Sequence, residues 1–381
     1  MTPKERVLAA FRGERTDRIP VHHISFSSKA ASYILGREAY VGGGVQQWRE
    51  ARALWEGEEA HQEFLERSRR DAFELAEILD MDIVRPSYWR LNVKPTKKLD
   101  EYTFLYGDPE GSWQVRRFDP ETELYQVVDW SPKVKPTLEE LERRVERELQ
   151  AAYEYEPTED SFPDIKAAIE YFKGEREIRA GGAGLGVPFG SEIWFEALAL
   201  RPDIVDKHLQ AQLIRAKKNV RVLAKMGVKL IFGGGDMADN RGPFYSPRLF
   251  RELLLPKLIE LTQECEKYGV YYLFGSDGNL WDVADDLFGG SGVRGYYEID
   301  RRAGMDLERL KERFPDLVLI GNISSHTLHL GTPDQVMEET ASCIEAAKRW
   351  GGVIVGCSNL IVPQTPPENL FAMIEAIREM R

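Results

Sequence analysis

Eight short apolar runs recur along the chain, each separated from the next by a longer stretch with helical spacing. They fall at 18–26 (RIPVHHISF), 82–89 (DIVRPSYW), 178–186 (IRAGGAGLG), 229–236 (KLIFGGGD), 270–277 (VYYLFGSD), 295–300 (GYYEID), 317–324 (LVLIGNIS) and 352–359 (GVIVGCSN). Most are too short for helices and lack apolar–polar alternation. Strands covered on both faces read this way. Amphipathic spacing runs over 46–79, 137–173, 190–226, 246–269, 280–288, 306–314, 333–349 and 367–380. Strands alternating with helices form parallel sheets, and eight such units predict an α/β fold of the (β/α)8 TIM-barrel type. A doubly wound open sheet is the alternative.

Helix starts carry their own marks. Thr2-Pro3-Lys4-Glu5, Thr332-Pro333-Asp334-Gln335 and Thr365-Pro366-Pro367-Glu368 fit capping boxes with proline in the first turn, and Thr137-Leu138-Glu139-Glu140 fits without it. One region breaks the alternation. YTFLYG, SWQVRRF and ELYQVVDW, within 101–130, are separated by Asp108-Pro109-Glu110-Gly111 and Asp119-Pro120-Glu121-Thr122. They predict a small antiparallel β-meander, a flap inserted after the second strand of one domain spanning 1–381.

At 381 residues and 43% hydrophobic, the chain can build a large core. Its net charge of −12 argues against nucleic acid and anionic membranes as partners. The first twenty residues are charged throughout, unlike a signal peptide, and no apolar run approaches the roughly 20 residues of a membrane span. Three cysteines, Cys265, Cys343 and Cys357, suggest no disulfide framework, so the expected location is cytoplasmic.

In a barrel of this type the chemistry lies at the carboxyl ends of the strands. The polar groups there are His22, His23 and Ser25; Arg85 and Ser87; Asp236; Asp277; Glu298 and Asp300; Asn322; and Cys357 with Asn359. Asp277 lies in Gly275-Ser276-Asp277-Gly278, so it reads either as a turn residue or as a ligand at the barrel mouth. Glu298 and Cys357 are not turn formers. Of the two adjacent histidines, alternation sends only one inward, and His23 is the expected one.

The stretches TPKERVLAAFRGERTDRIPV, GGGDMADNRGPFYSPRLFRELLLPKLIELTQ, AGMDLERLKERFPDLVLIGNIS and GGVIVGCSNLIVPQTPPENLFAMIEAIRE resemble the uroporphyrinogen decarboxylase superfamily, itself a (β/α)8 barrel. The arginine-containing Gln-Ala-Gly-Arg-Tyr stretch of the true decarboxylases does not occur after the first run. The resemblance therefore points to the corrinoid-dependent methyltransferase branch. Its thiol methylators bind zinc through a His-x-Cys pair on the fifth strand and a cysteine ending the eighth. The eighth-strand cysteine corresponds to Cys357, while the His-x-Cys pair falls on Gly275 and Asp277. A zinc site assembled from Asp277, Glu298 and Cys357 is the resulting expectation, with Asp236 and His23 as catalytic groups.

Carboxylate oxygens in place of nitrogen and sulfur make a harder site, suited to an ether oxygen. Arg85, Tyr88, Trp89, Phe189, Trp194, Tyr245, Trp281, Asn322 and Asn359 are the expected substrate-binding residues, their aromatics suiting a flat ligand. The resemblance implies O-demethylation: a methyl group moves from a small donor, an aryl methyl ether by preference, to a corrinoid (cobalamin). No Asp-x-His-x-x-Gly stretch occurs, so the corrinoid is expected on a partner protein, with a homodimer as a further expectation. A metal-independent decarboxylase and a non-catalytic ligand or corrinoid carrier are the alternatives.

Overall fold

A computed structural model describes residues 1–381. Its strands, in chain order, are β1 (Ser25–Phe26), β2 (Ile83–Val84), β3 (Lys97–Lys98), β4 (Thr103–Gly107), β5 (Trp113–Asp119), β6 (Leu124–Ser131), β7 (Glu177–Gly184), β8 (Leu230–Gly234), β9 (Tyr271–Gly275), β10 (Gly295–Tyr297), β11 (Val318–Ile320), β12 (Val353–Ile354) and β13 (Leu360–Ile361). Seven of them form one curled parallel sheet in the order β12-β11-β10-β9-β8-β7-β2. β1 pairs in parallel with β13. The chain just before β1 bonds to both edges of the curled sheet. The Val355 amide donates to the Pro20 carbonyl, the His22 amide to Val355, and the Asp82 amide to Val21. This arrangement is consistent with a TIM-like barrel. No helix is long and apolar enough to cross a membrane.

The sheet separates two apolar regions. Ile24, Ile83, Leu230, Leu273, Tyr297, Val318, Ile320 and Ile354 meet on its concave side, together with Val7 and Phe11 of the first helix. That helix, Pro3–Phe11, is capped by Thr2 with Glu5 returning the bond. Phe11 stacks on Tyr271 at the start of β9, 4.6 Å between centroids, closing the amino-terminal end of the sheet. A larger cluster fills the space between sheet and helices.

Of the expected helical stretches, several are broken where the backbone requires it. The 46–79 stretch divides at Gly57, whose φ of +132° no helix accepts. The 190–226 stretch divides before Pro202, which opens the second piece. The helix from Ser246 carries a π-turn at Phe250–Leu254, just ahead of Pro256. Capping boxes form at Thr2, Thr137 and Thr332. The one expected at Thr365 does not, because the last helix begins at Pro367 with Pro366 in the cap position. β3 to β6 form a four-stranded antiparallel sheet, the inserted meander, beginning slightly earlier than the pattern showed. Its Phe104, Tyr106, Phe118 and Tyr125 pack with Val45, Trp48 and Ala51 of the helix Gly44–Glu56.

Candidate functional site

Three successive strands each end in an acid. Asp236 follows β8 by two residues, Asp277 follows β9 by two, and Glu298 follows β10 directly. Parallel neighbours bring these ends to one place, and one carboxylate oxygen from each lies within 4.8 Å of the others. The Asp277 amide donates to Asp236 Oδ1 at 3.3 Å. Asn359 Nδ2 donates to Asp277 Oδ2 at 2.6 Å.

Burial pushes the Asp277 carboxyl up to about 7, with the charges of Asp236 and Asp300 adding to it and the Asn359 bond opposing. Burial likewise pushes Glu298 up to about 8, helped by Asp277 and Asp236 and opposed by the cations of Arg179 and Arg85. Asp277 and Glu298, largely buried and facing one another beside the exposed Asp236, cannot both ionise cheaply unless a cation joins them. The backbone of Glu298 points the same way. Its φ of +72° is a left-handed conformation, unusual for a residue that is neither glycine, asparagine nor aspartate. Strain of this kind collects at functional sites.

The position two before Asp277 explains how the site does without a histidine there. A Cβ on Gly275 would sit 2.6 Å from Cε2 of Phe232 and 3.4 Å from Oε2 of Glu298. Glycine at 275 leaves room for the Phe232 ring and for a glutamate arriving from the next strand. Gly275→Ala should destabilise the protein by about 1–3 kcal/mol through overpacking. Urea unfolding would read this, and an unchanged midpoint would disprove the tight fit.

Cys357 is not brought into this group. Its thiol is fully buried, donates to the Asn359 carbonyl at 3.2 Å, and is pushed up to about 12 by burial. The expected Asp277–Glu298–Cys357 set is replaced in the structure by Asp236–Asp277–Glu298. His23 also departs from expectation. It turns away from the concave side, its Nδ1 accepting from the Cys357 amide, while His22 points inward and meets Tyr297 Oη and the Ile83 carbonyl. Alternation along 21–24 sets this: Val21 packs between sheet and helices and Ile24 on the concave side, so His22 faces with Ile24. Burial, with the cations of Arg179 and Arg85 adding, holds His22 well below its usual range, so it stays neutral.

Arg85 is buried, donating to the Ser87 and Ile24 carbonyls, and its guanidinium lies over the rings of Tyr88 and Trp89. Phe189 stacks on Phe244 with 5.0 Å between centroids. Tyr245 is buried, its hydroxyl without a partner. Asn322 is buried, its Nδ2 donating to the Ile354 carbonyl and its Oδ1 free. Two expected wall residues belong elsewhere. Trp194 packs on His208 of the neighbouring helix, and Trp281 donates to the Gly304 carbonyl beneath Arg309. Both are held by the outer helical layer. Arg241 pairs with Asp239 on the surface.

Sequence reasoning missed Arg179. It lies in β7, far from the strand's end, over Phe232 at 4.4 Å and Tyr297 at 5.3 Å. A cation within an otherwise apolar run was its only signal.

Comparison with known proteins agrees with the carboxyl-terminal motifs. Residues 191–380 match the family model Uroporphyrinogen decarboxylase (URO-D). A uroporphyrinogen decarboxylase of Thermoplasma acidophilum is 22% identical over 249 residues, covering 63% of this chain and 72% of the relative. The crystal structure of IolI protein with a binding zinc atom aligns with 64% of this chain and 90% of its own. Its identity is 12% and its TM-score 0.29, a likeness that bears on neither fold nor metal. Residues 191–380 therefore carry a uroporphyrinogen decarboxylase family domain, with which the shared motifs agree.

Proposed function

We propose that the chain is a (β/α)8-barrel enzyme in which Asp236, Asp277 and Glu298 hold one divalent metal ion, zinc by resemblance, at the strand ends. On this reading it moves a methyl group from a small methylated donor, an aryl methyl ether by preference, to a corrinoid on a separate protein. The observation that carries the reading is the convergence of three carboxylates within 4.8 Å. The donor set is all oxygen, which suits a hard cation and lies within zinc's ligand range. A bound divalent ion would supply Lewis acidity toward a leaving oxygen.

The chain's own residues do the rest. The carboxylates fix the ion's place, and Asn359 orients Asp277 through its amide. In the transfer the methyl–oxygen bond breaks and the methyl passes to the acceptor. The oxygen keeps the electron pair and leaves as a phenolate. Asp236, the most exposed of the three acids, faces solvent and is placed to meet a donor entering the mouth.

The second reading is decarboxylation, favoured by the named relative and by two buried guanidinium groups, Arg85 and Arg179, beside the acids. One experiment separates the two. Purified protein is assayed with and without EDTA, against reduced corrinoid plus methoxyarenes and against uroporphyrinogen. Methyl transfer predicts about one divalent ion per chain and loss of cobalt(I) absorption only when ion and donor are both present. Carbon dioxide release that EDTA leaves unchanged would overturn it. Cys357→Ala should keep most of the bound metal, because its thiol lies outside the carboxylate group. Metal analysis of that variant checks this, and loss of the ion would restore cysteine as a ligand.

A further inference from the structure

We infer that the donor carries an anionic substituent, a carboxylate, received by Arg179 and Arg85 at the floor of the acidic mouth. The inference rests on the proposed metal-dependent reading and adds the substrate's chemical class. Arg179 is 9% exposed, and its Nε is buried without a hydrogen-bond partner. It makes no ion pair and no side-chain hydrogen bond, unlike the buried Arg6, which pairs with Asp17 and Asp82. Its faces rest on Phe232 and Tyr297. Arg85 is at least as buried. It spends Nε and Nη1 on two carbonyls, and Nη2 has no acceptor within the protein.

Two buried cations close enough to disfavour one another are costly unless an anion joins them. Glu298 lies near enough to feel both but makes no ion pair with either. Its carboxylate is turned toward Asp236 and Asp277 instead. The guanidinium groups are therefore left for something that enters. A guanidinium recognises a carboxylate through parallel N–H donors, and flat aromatic neighbours favour an arene carrying it. The geometry thus divides one mouth into an acidic side for the metal and a basic floor for the carboxylate.

The test is a binding measurement that needs no turnover. 4-Methoxybenzoate and its neutral isostere 4-methoxybenzamide are titrated calorimetrically into the zinc-loaded wild type and into Arg179→Gln, Arg179→Lys and Glu298→Gln. The expected result is preference for the benzoate, weakened about 10- to 100-fold in Arg179→Gln and partly rescued in Arg179→Lys, with the benzamide unaffected. Benzoate binding should persist in Glu298→Gln. Loss in Glu298→Gln with retention in Arg179→Gln would put the carboxylate on the metal and overturn the inference. Equal affinities for both probes in the wild type would overturn it too. Because no methyl transfer is read, failure of the enzymatic reading leaves this result separately interpretable.

Discussion

Glu298→Gly should lose the metal and at least about 100-fold in turnover while unfolding no more easily than the wild type. Changing residues that only support a metal ligand already costs about 10- to 100-fold, and removing one of three ligands costs more. Stability should move the other way. Glu298 holds a left-handed backbone at φ +72°, which costs an ordinary residue about 1–2 kcal/mol and glycine almost nothing. Its carboxyl is also pushed up to about 8 by burial and by Asp277 and Asp236, a second cost that glycine removes. The greater freedom of glycine in the unfolded chain offsets part of this gain. Glu298→Gln is the companion variant, keeping the strain while losing the charge. Metal analysis, initial rates and thermal unfolding of the metal-free proteins read all three effects. Full metal content in both variants would remove Glu298 from the site. A clear fall in the melting temperature of Glu298→Gly would mean that its side chain holds the loop in place.

That a glutamate holds this position follows from what its neighbours leave open. The sequence pattern already placed Asp236, Asp277 and Glu298 at strand ends, because each closes an apolar run and the strands are parallel. It could not show which of the strand-end groups would face one another. Cys357 also ends an apolar run, but the chain turns there. Its thiol bonds to Asn359, and Asn359 is the residue that reaches Asp277. His22 and His23 are adjacent, and only the pairing of Val21 with Val355 shows which one faces inward. Arg179 was hidden for a different reason. It lies early in β7, where a search for chemistry at strand ends does not look. It also lies outside the 191–380 family match, so no shared motif marks it. The aromatics show the weakness of composition as a guide. Trp89 and Phe189 remain partly open, whereas Trp194 and Trp281 serve the helical layer. The runs fixed the strands well, since burial on both faces leaves little choice of residue. The helix at Ser28–Leu35 carried no long amphipathic pattern and was legible only once folded.

Metal-free protein should be more stable at pH 5 than at pH 8, and Asp277→Asn with Glu298→Gln should remove much of that difference. The sign follows from proton counting. An unfolded aspartate or glutamate gives up its proton near pH 4, whereas folding pushes Asp277 up to about 7 and Glu298 up to about 8. Between those limits the folded chain holds protons that the unfolded chain has lost. Stability therefore falls as pH rises through this window. Each shift is about three units, which is on the order of 4 kcal/mol for one carboxyl. The pair contributes less than twice that, because part of each shift is the other's charge. A divalent ion reverses the effect by taking the place of the protons, so added zinc should stabilise strongly at pH 8 and weakly at pH 5. Urea unfolding at both pH values, with EDTA and with zinc, gives the four numbers required. Calorimetric titration with zinc at pH 7 in buffers of different ionisation enthalpy should also register proton release. If wild type and the double variant show the same pH dependence without metal, Asp277 and Glu298 do not share the buried place on which the metal reading stands.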